Sequence, residues 1–236
     1  MGAAGSRVRR WYSSQPEMVR RLMLLQIVAW LLMVVLRLYE SGLHDQVVGM
    51  VALVPGESLL SRGWTLLTYP LVHSATDMFG ALIDVALLSI LGGTFGHRWR
   101  SSHFLFFWFF TAVGGGVLHW AAGSYLDPKV FGVPALGSQA SNMALLVAFW
   151  LVFGERYYRL WGLEKPVKAK WVVGGVFAIQ VLFFVAGANH FLALQVGGAL
   201  LGWLLVTGRW RPGKFGVWLR RLGLKVRGLR RGIRSV

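Results

Sequence analysis

Cysteine is absent from this chain of 236 residues, and acidic side chains are scarce, with nine Asp and Glu in all. Without thiols there is no disulfide framework and no thiolate metal centre. So few carboxylates, with six histidines, supply no ligand cluster, so neither a metal nor a cofactor is expected. Charge of either sign is thin. Only 14% of residues are charged, against about 25% in a soluble domain. What fills the chain is apolar: 56% of residues, where a soluble domain has about 45–50%. The mean hydropathy is +0.56. This composition specifies an all-α, polytopic membrane protein built as one membrane domain.

A spanning helix needs roughly 20 mostly apolar residues. Six stretches qualify: 22–38, 77–95, 104–122, 138–153, 171–188 and 191–207. The fourth and sixth are short, as expected of helices packed inside a bundle. The gap 39–76 is long and includes an apolar run, 47–55, suited to dipping into the outer leaflet. Gly114–Gly116, Gly174–Gly175 and Gly198 with Gly202 are small residues of the kind that let membrane helices approach closely.

The 25 Lys and Arg residues follow this topology. Only Arg62 and Lys129 fall in loops on the far side, with Arg37 at a boundary. The rest precede the first span, follow the second and fourth, or fill the tail. Positive charge collects on the cytoplasmic side, so both termini are expected there. The chain divides into a basic N-terminal segment (1–21), a membrane domain (22–208) and a basic tail (209–236). The start, Met1–Ser6, fits a loose N-myristoylation pattern but reads more simply as a disordered Gly/Ala-rich end. In the tail, Phe215, Trp218, Leu219, Leu222, Val226, Leu229 and Ile233 recur at helical spacing among arginines and lysines. That pattern suits a helix lying on anionic lipid. The net charge of +16 comes with no groove-reading motif, so nucleic acid is not an expected partner.

Four segments carry recognisable detail. Arg62-Gly-Trp-Thr-Leu-Leu-Thr-Tyr-Pro-Leu-Val-His73 leads into the second span. Gly80, Asp84, Gly92 and Gly93 follow within that span. Gly137-Ser138-Gln139-Ala140-Ser141-Asn142 opens the fourth span, which ends at Gly154-Glu155-Arg156. Gln195-Val-Gly-Gly198 with Gly202 lies in the sixth. Together and in this order they resemble the rhomboid family of intramembrane serine proteases. The resemblance covers about residues 22–209 and implies a six-helix rhomboid-like bundle. It places Ala140 where active members carry the nucleophilic serine, and Gln195 where they carry the histidine base. It places Gly80 and Asp84 where they carry the His and Asn of the oxyanion site.

Those four residues cannot run the reaction. Alanine has no nucleophile. Glutamine takes up no proton near neutral pH. Glycine donates nothing from a side chain, and an ionised aspartate repels an oxyanion. The resemblance therefore implies a pseudoprotease that binds transmembrane client proteins through a polar interior including Asp84, Asn142 and Gln195. A rival reading keeps proteolysis, with Ser138 or Ser141 as nucleophile and His190 as base. Against it, the same serines suit close packing with hydroxyls bonded to backbone, and His190 suits an interfacial position. A third reading is a small transporter using Asp84, with His73 and Asp77 on its path. A mid-span carboxylate costs roughly 2.5–3.5 kcal/mol to insert. Asp84 is therefore expected to face the bundle, protonated or bonded to Ser138, Asn142, Gln195 or water. His73 and Asp77 are expected to be wetted at the outer end.

Overall fold

A computed structural model describes residues 3–126, 129–158, 165–185 and 191–208. The chain is mostly helical. Helix α1 (Ala3–Ser14) is joined through Gln15 and Pro16 to α2 (Glu17–Tyr39). Pro16 sits just before α2, where its missing N–H costs nothing. The expectation of a disordered start is thus corrected from Ala3 onward: that segment is helical.

The long gap 39–76 contains helix α3 (Ser41–Val51) and two single turns, α4 (Leu59–Arg62) and α5 (Thr65–Thr68). Helix α6 (Met78–Leu87) runs through a π turn (Leu88–Gly92) into α7 (Gly93–Gly96), making one continuous apolar helix. Helices α8 (Ser101–Tyr125), α9 (Gln139–Phe153), α10 (Ala169–Val185) and α11 (Leu192–Thr207) complete the bundle. Between α9 and α10, β1 (Tyr157–Tyr158) pairs antiparallel with β2 (Val167–Lys168).

Among the described residues, three helices are long and apolar enough to cross a membrane: Glu17–Tyr39, Met78–Gly96 and Ser101–Tyr125. The other apolar helices, α9, α10 and α11, are shorter. Helix α9 is buried on every side from Ala140 to Phe149, as a helix apolar all round must be. Helices α8 and α11 flank it. The main core joins Val19 and Met23 of α2, Leu88 and Phe95 of the α6–α7 helix, Phe104 and Trp108 of α8, and Phe149 and Phe153 of α9. The outer faces of α2, α6 and α8 present Leu24, Val28, Leu32, Phe79, Ile83, Ile90, Phe106 and Phe110. In water such surface is a liability; against lipid tails it is the required finish.

The small residues divide into two groups. Gly115, Gly197, Gly198 and Gly202 stand where an added methyl would overlap a neighbouring helix. Gly174 and Gly175 face open space, so the expectation that they form a close helix contact is corrected. Helix α10 packs on α9 without using them.

Candidate functional site

The Arg62–His73 segment explains itself once its polar atoms are followed. Arg62 donates to the Gly49 carbonyl (2.7 Å) and to Glu57 (2.8 Å). The Trp64 indole donates to the Met50 carbonyl, and Thr68 to that of Val51. Tyr69 is fully buried and its hydroxyl donates to the Ala112 carbonyl at 2.6 Å. Burial, with the negative charge of Asp84, pushes that hydroxyl's pKa far up, so it stays a donor. Gln26 of α2 donates to the Pro70 carbonyl. Leu53 and Ala135 exchange two backbone hydrogen bonds, tying this strap to the segment before α9. The bonds at Tyr69, at Gln26 and between Leu53 and Ala135 satisfy buried groups that water does not reach.

The strap ends at His73, which is 96% buried rather than wetted. Its Nε2 lies 3.1 Å from Asp84 Oδ2. Asp77 caps α6 by accepting from the Gly80 amide at 2.8 Å, an ordinary N-cap role. Two turns inside the helix, Asp84 is almost wholly buried. Its Oδ2 also accepts from the Ser138 amide (2.8 Å), and its Oδ1 from Asn142 Nδ2 (2.8 Å). Asn142 Nδ2 also lies 3.1 Å from Ser138 Oγ and 3.2 Å from the Asp84 carbonyl. Gly137 makes the approach feasible. Its φ is +101°, a conformation that favours glycine. A Cβ there would stand 3.1 Å from Asp84 Oδ2 and 3.4 Å from the His73 ring. The result is a buried cluster of His73, Asp84, Ser138 and Asn142 joining the strap, α6 and α9.

Of the partners expected for Asp84, Ser138 and Asn142 are present. Gln195 is not: its Nε2 donates to Gln139 Oε1 at 3.0 Å instead. The expected Asp84–Gln195 contact is corrected, because the α9 backbone separates the two sides. Asp84 faces the face of α9 bearing Ser138 and Asn142, and Gln195 meets Gln139.

Ala140 lies where α8, α9 and α11 converge. A methyl added to Gly198 would stand 2.6 Å from the Ala140 carbonyl carbon. One added to Gly115 would stand 2.6 Å from Ala140 Cβ and 2.8 Å from the Leu194 carbonyl oxygen. One turn on, Gly202 meets Ala144 in the same way, its added methyl 2.7 Å from Ala144 Cα. This seam is closed by backbone contact. Ser141 Oγ donates to the Trp108 carbonyl on α8 at 2.7 Å, and Ser138 Oγ accepts from Asn142. Gly80 is at the exposed start of α6, three residues from its cap Asp77. His190 lies outside the described residues, as does the whole tail from Arg209.

Sequence reasoning set His73 and Asp84 on one path without pairing them, and missed the Gln139–Gln195 pair and His119. The last is fully buried in α8 against Phe191, ring centroids 5.6 Å apart. The two pairs arise from chain segments that fold back on each other, and no periodicity connects them. His119 was detectable as a polar residue inside an apolar helix. Among the described residues no group of three or more His, Cys, Asp or Glu is arranged to hold a metal ion.

Residues 20–206 match the family model described as Eukaryotic integral membrane protein (DUF1751), and the chain belongs to that family. The match runs from the first turns of α2 to the last of α11. No curated protein matches the chain. With the apolar helices already described, membership makes this an integral membrane protein.

Proposed function

We propose that this eukaryotic integral membrane protein is a six-span, rhomboid-like pseudoprotease that holds transmembrane client proteins. Both termini are cytoplasmic in this reading, and the basic tail rests on anionic lipid. The observation that carries it is the closed seam at Ala140. The position corresponding to the nucleophile is a methyl group against Gly115, and its neighbour across the seam is Gly198 backbone. Gln195, at the position of the base, is bonded to Gln139. Hydrolysis needs an oxygen nucleophile within reach of a base, and this seam contains neither. The Ser138 hydroxyl accepts from Asn142 one turn along α9, and the Ser141 hydroxyl bonds α9 to α8.

The binding half of the reading rests on a groove. Next to the seam, α9, α10 and α11 enclose a cavity of about 420 Å³, lined by Trp150, Phe177, Gln180, Gln195, Val196 and Trp203 among others. Its walls are apolar apart from two glutamine amides. A client helix that carries a polar residue finds there both apolar contact and hydrogen-bonding groups, the combination that drives helix association in lipid.

The tests separate the readings. Full-length protein reconstituted with a transmembrane substrate should release no product, and a fluorophosphonate probe should label nothing. Cleavage abolished by Ser138→Ala or Ser141→Ala restores the protease reading. Proton flux lost on Asp84→Asn replaces it with a transporter. A photo-crosslinker at Phe177 or Leu200 should capture membrane proteins, whereas one at Met50, on the strap, should not. Equal capture from both positions removes the groove from the proposal.

A further inference from the structure

Helices α7 and α9 are each followed closely by an arginine, Arg98 and Arg156. The ring of Phe153, in the last turn of α9, is where the two meet. The Arg98 guanidinium carbon lies over that ring at 4.8 Å from its centre, and that of Arg156 at 5.1 Å. Phe153 is itself 98% buried, its ring held between Phe95 at 5.7 Å and Phe149 at 5.2 Å. The backbones are fixed too. The Arg98 amide donates to the Phe95 carbonyl, the Arg156 amide to the Phe153 carbonyl, and the Arg156 carbonyl accepts from Ala169. Two guanidiniums are thus seated on one rigid base.

A cation held over a ring face spends none of its N–H groups on that contact, so each arginine keeps five donors in a planar fork. Both side chains are exposed, so a ligand can reach them. Among the described residues neither arginine has an ion pair or a side-chain hydrogen bond. The one acid beside them in the chain, Glu155, is already taken: Lys168 and Lys170 donate to its two oxygens at 2.8 and 2.6 Å. Like charges held this close repel each other, and an anion shared by both relieves that repulsion.

The pair of forks says what kind of anion. Guanidinium matches carboxylate and phosphate geometry, but a carboxylate or a phosphodiester brings one negative charge to two positive ones. A phosphomonoester carries about −1.5 to −2 near neutral pH and three terminal oxygens, enough for both arginines. The location says where the ligand comes from. Each arginine stands where an apolar helix gives way to charged residues, the level of lipid headgroups. Val152, one turn before Arg156, is exposed and continues the surface toward the acyl chains. We infer that Arg98 and Arg156 together bind the phosphomonoester headgroup of a membrane lipid, of which phosphatidate is the simplest. The site is separate from the groove between α9, α10 and α11 and does not depend on what that groove holds.

Phosphatidate and phosphatidylserine separate a monoester from an anionic diester. Full-length protein is placed in phosphatidylcholine nanodiscs containing equal amounts of the two and released for native mass spectrometry of retained lipid. Phosphatidate should be retained roughly ten-fold over phosphatidylserine. Arg98→Gln and Arg156→Gln should each cut that preference about five-fold, and the double variant should abolish it. These are exposed side chains, so the unfolding temperature should stay the same. Arg100→Gln removes the same charge two residues from Arg98 and should leave the preference intact. Glycerol 3-phosphate, the same headgroup without acyl chains, should not displace phosphatidate at equal concentration; displacement makes a soluble monoester the ligand and overturns the lipid assignment. Equal retention of the two lipids by the native protein overturns the proposal. So does a loss in Arg100→Gln as large as in Arg98→Gln, which reduces the site to a diffuse basic surface.

Discussion

Two regions of the bundle stand side by side on α9 and solve opposite problems. On one face, Ser138 and Asn142 reach across to Asp84 and His73, and polar groups are brought together in a place that penalises each of them singly. On the other, Ala140 and Ala144 meet Gly198 and Gly202, and polar side chains are removed so that backbones touch. The first region is held by hydrogen bonds whose loss leaves buried groups unpaired. The second is held by shape, and its weakness is any added atom. The difference teaches that one helix can be fixed by polar bonding on one face and by close backbone packing on the other.

The comparison can be broken most severely at Asp84. Asp84→Leu leaves His73, the Ser138 amide and Asn142 facing apolar atoms, and removing one member of a buried charged network costs about 3–5 kcal/mol. Steric-trapping or denaturant unfolding in detergent should register that loss, with Asp84→Asn recovering part of it. The seam should fail in the opposite way, by enlargement. Gly198→Ala forces the α11 backbone away from the Ala140 backbone and should cost about 1–3 kcal/mol; Ala140→Gly, made together with it, should not restore the stability, because the new methyl meets Ala140 backbone atoms that glycine keeps. Smaller again is Ser141→Ala, which removes one bond to the Trp108 carbonyl and should cost about 1 kcal/mol with no change in any hydrolytic assay.

The mildest test uses acid. Glu155 receives Lys168 at 2.8 Å and Lys170 at 2.6 Å. Those two hydrogen bonds hold its carboxyl down to about 2, from an ordinary 4.5. A depressed carboxylate stabilises above its unfolded pKa and loses that contribution as pH falls through the folded one. The β1–β2 hairpin should therefore loosen between about pH 4.5 and pH 2, seen as faster hydrogen exchange at Tyr158 and Lys168. The seam residues Ala140, Ala144, Gly198 and Gly202 carry no titratable side chain, and their amides should keep their protection over the same range.

Much of the architecture was legible in the sequence because hydrophobic length and period are local properties. Each apolar stretch became an apolar helix, and the short fourth one is the most enclosed, as its length implied. Other expectations failed where local signals are ambiguous. Gly174 and Gly175 have the same composition as Gly197 and Gly198, yet only the latter pair touches a neighbour. Within the gap 39–76 the apolar run 47–55 was noted but no helix was assigned; the chain forms α3 there, and the strap's hydrogen bonds to the Gly49, Met50 and Val51 carbonyls hold its end. His73 was expected in water because it lies near the outer end of the second span, and only the return of the chain to α6 encloses it.

The amino-acid sequence by itself determined that this is a helical membrane protein, where its apolar helices run, and that the side chains of Ala140 and Gln195 offer neither a nucleophile nor a base. Those conclusions follow from residue type and spacing, which need no knowledge of neighbours. Only the tertiary structure decided what the remaining polar residues do. It gave Asp84 to His73, Ser138 and Asn142, and gave Gln195 to Gln139. Hydrogen bonds in lipid are made between segments distant in the chain, and the distances between those segments exist only once the helices have packed.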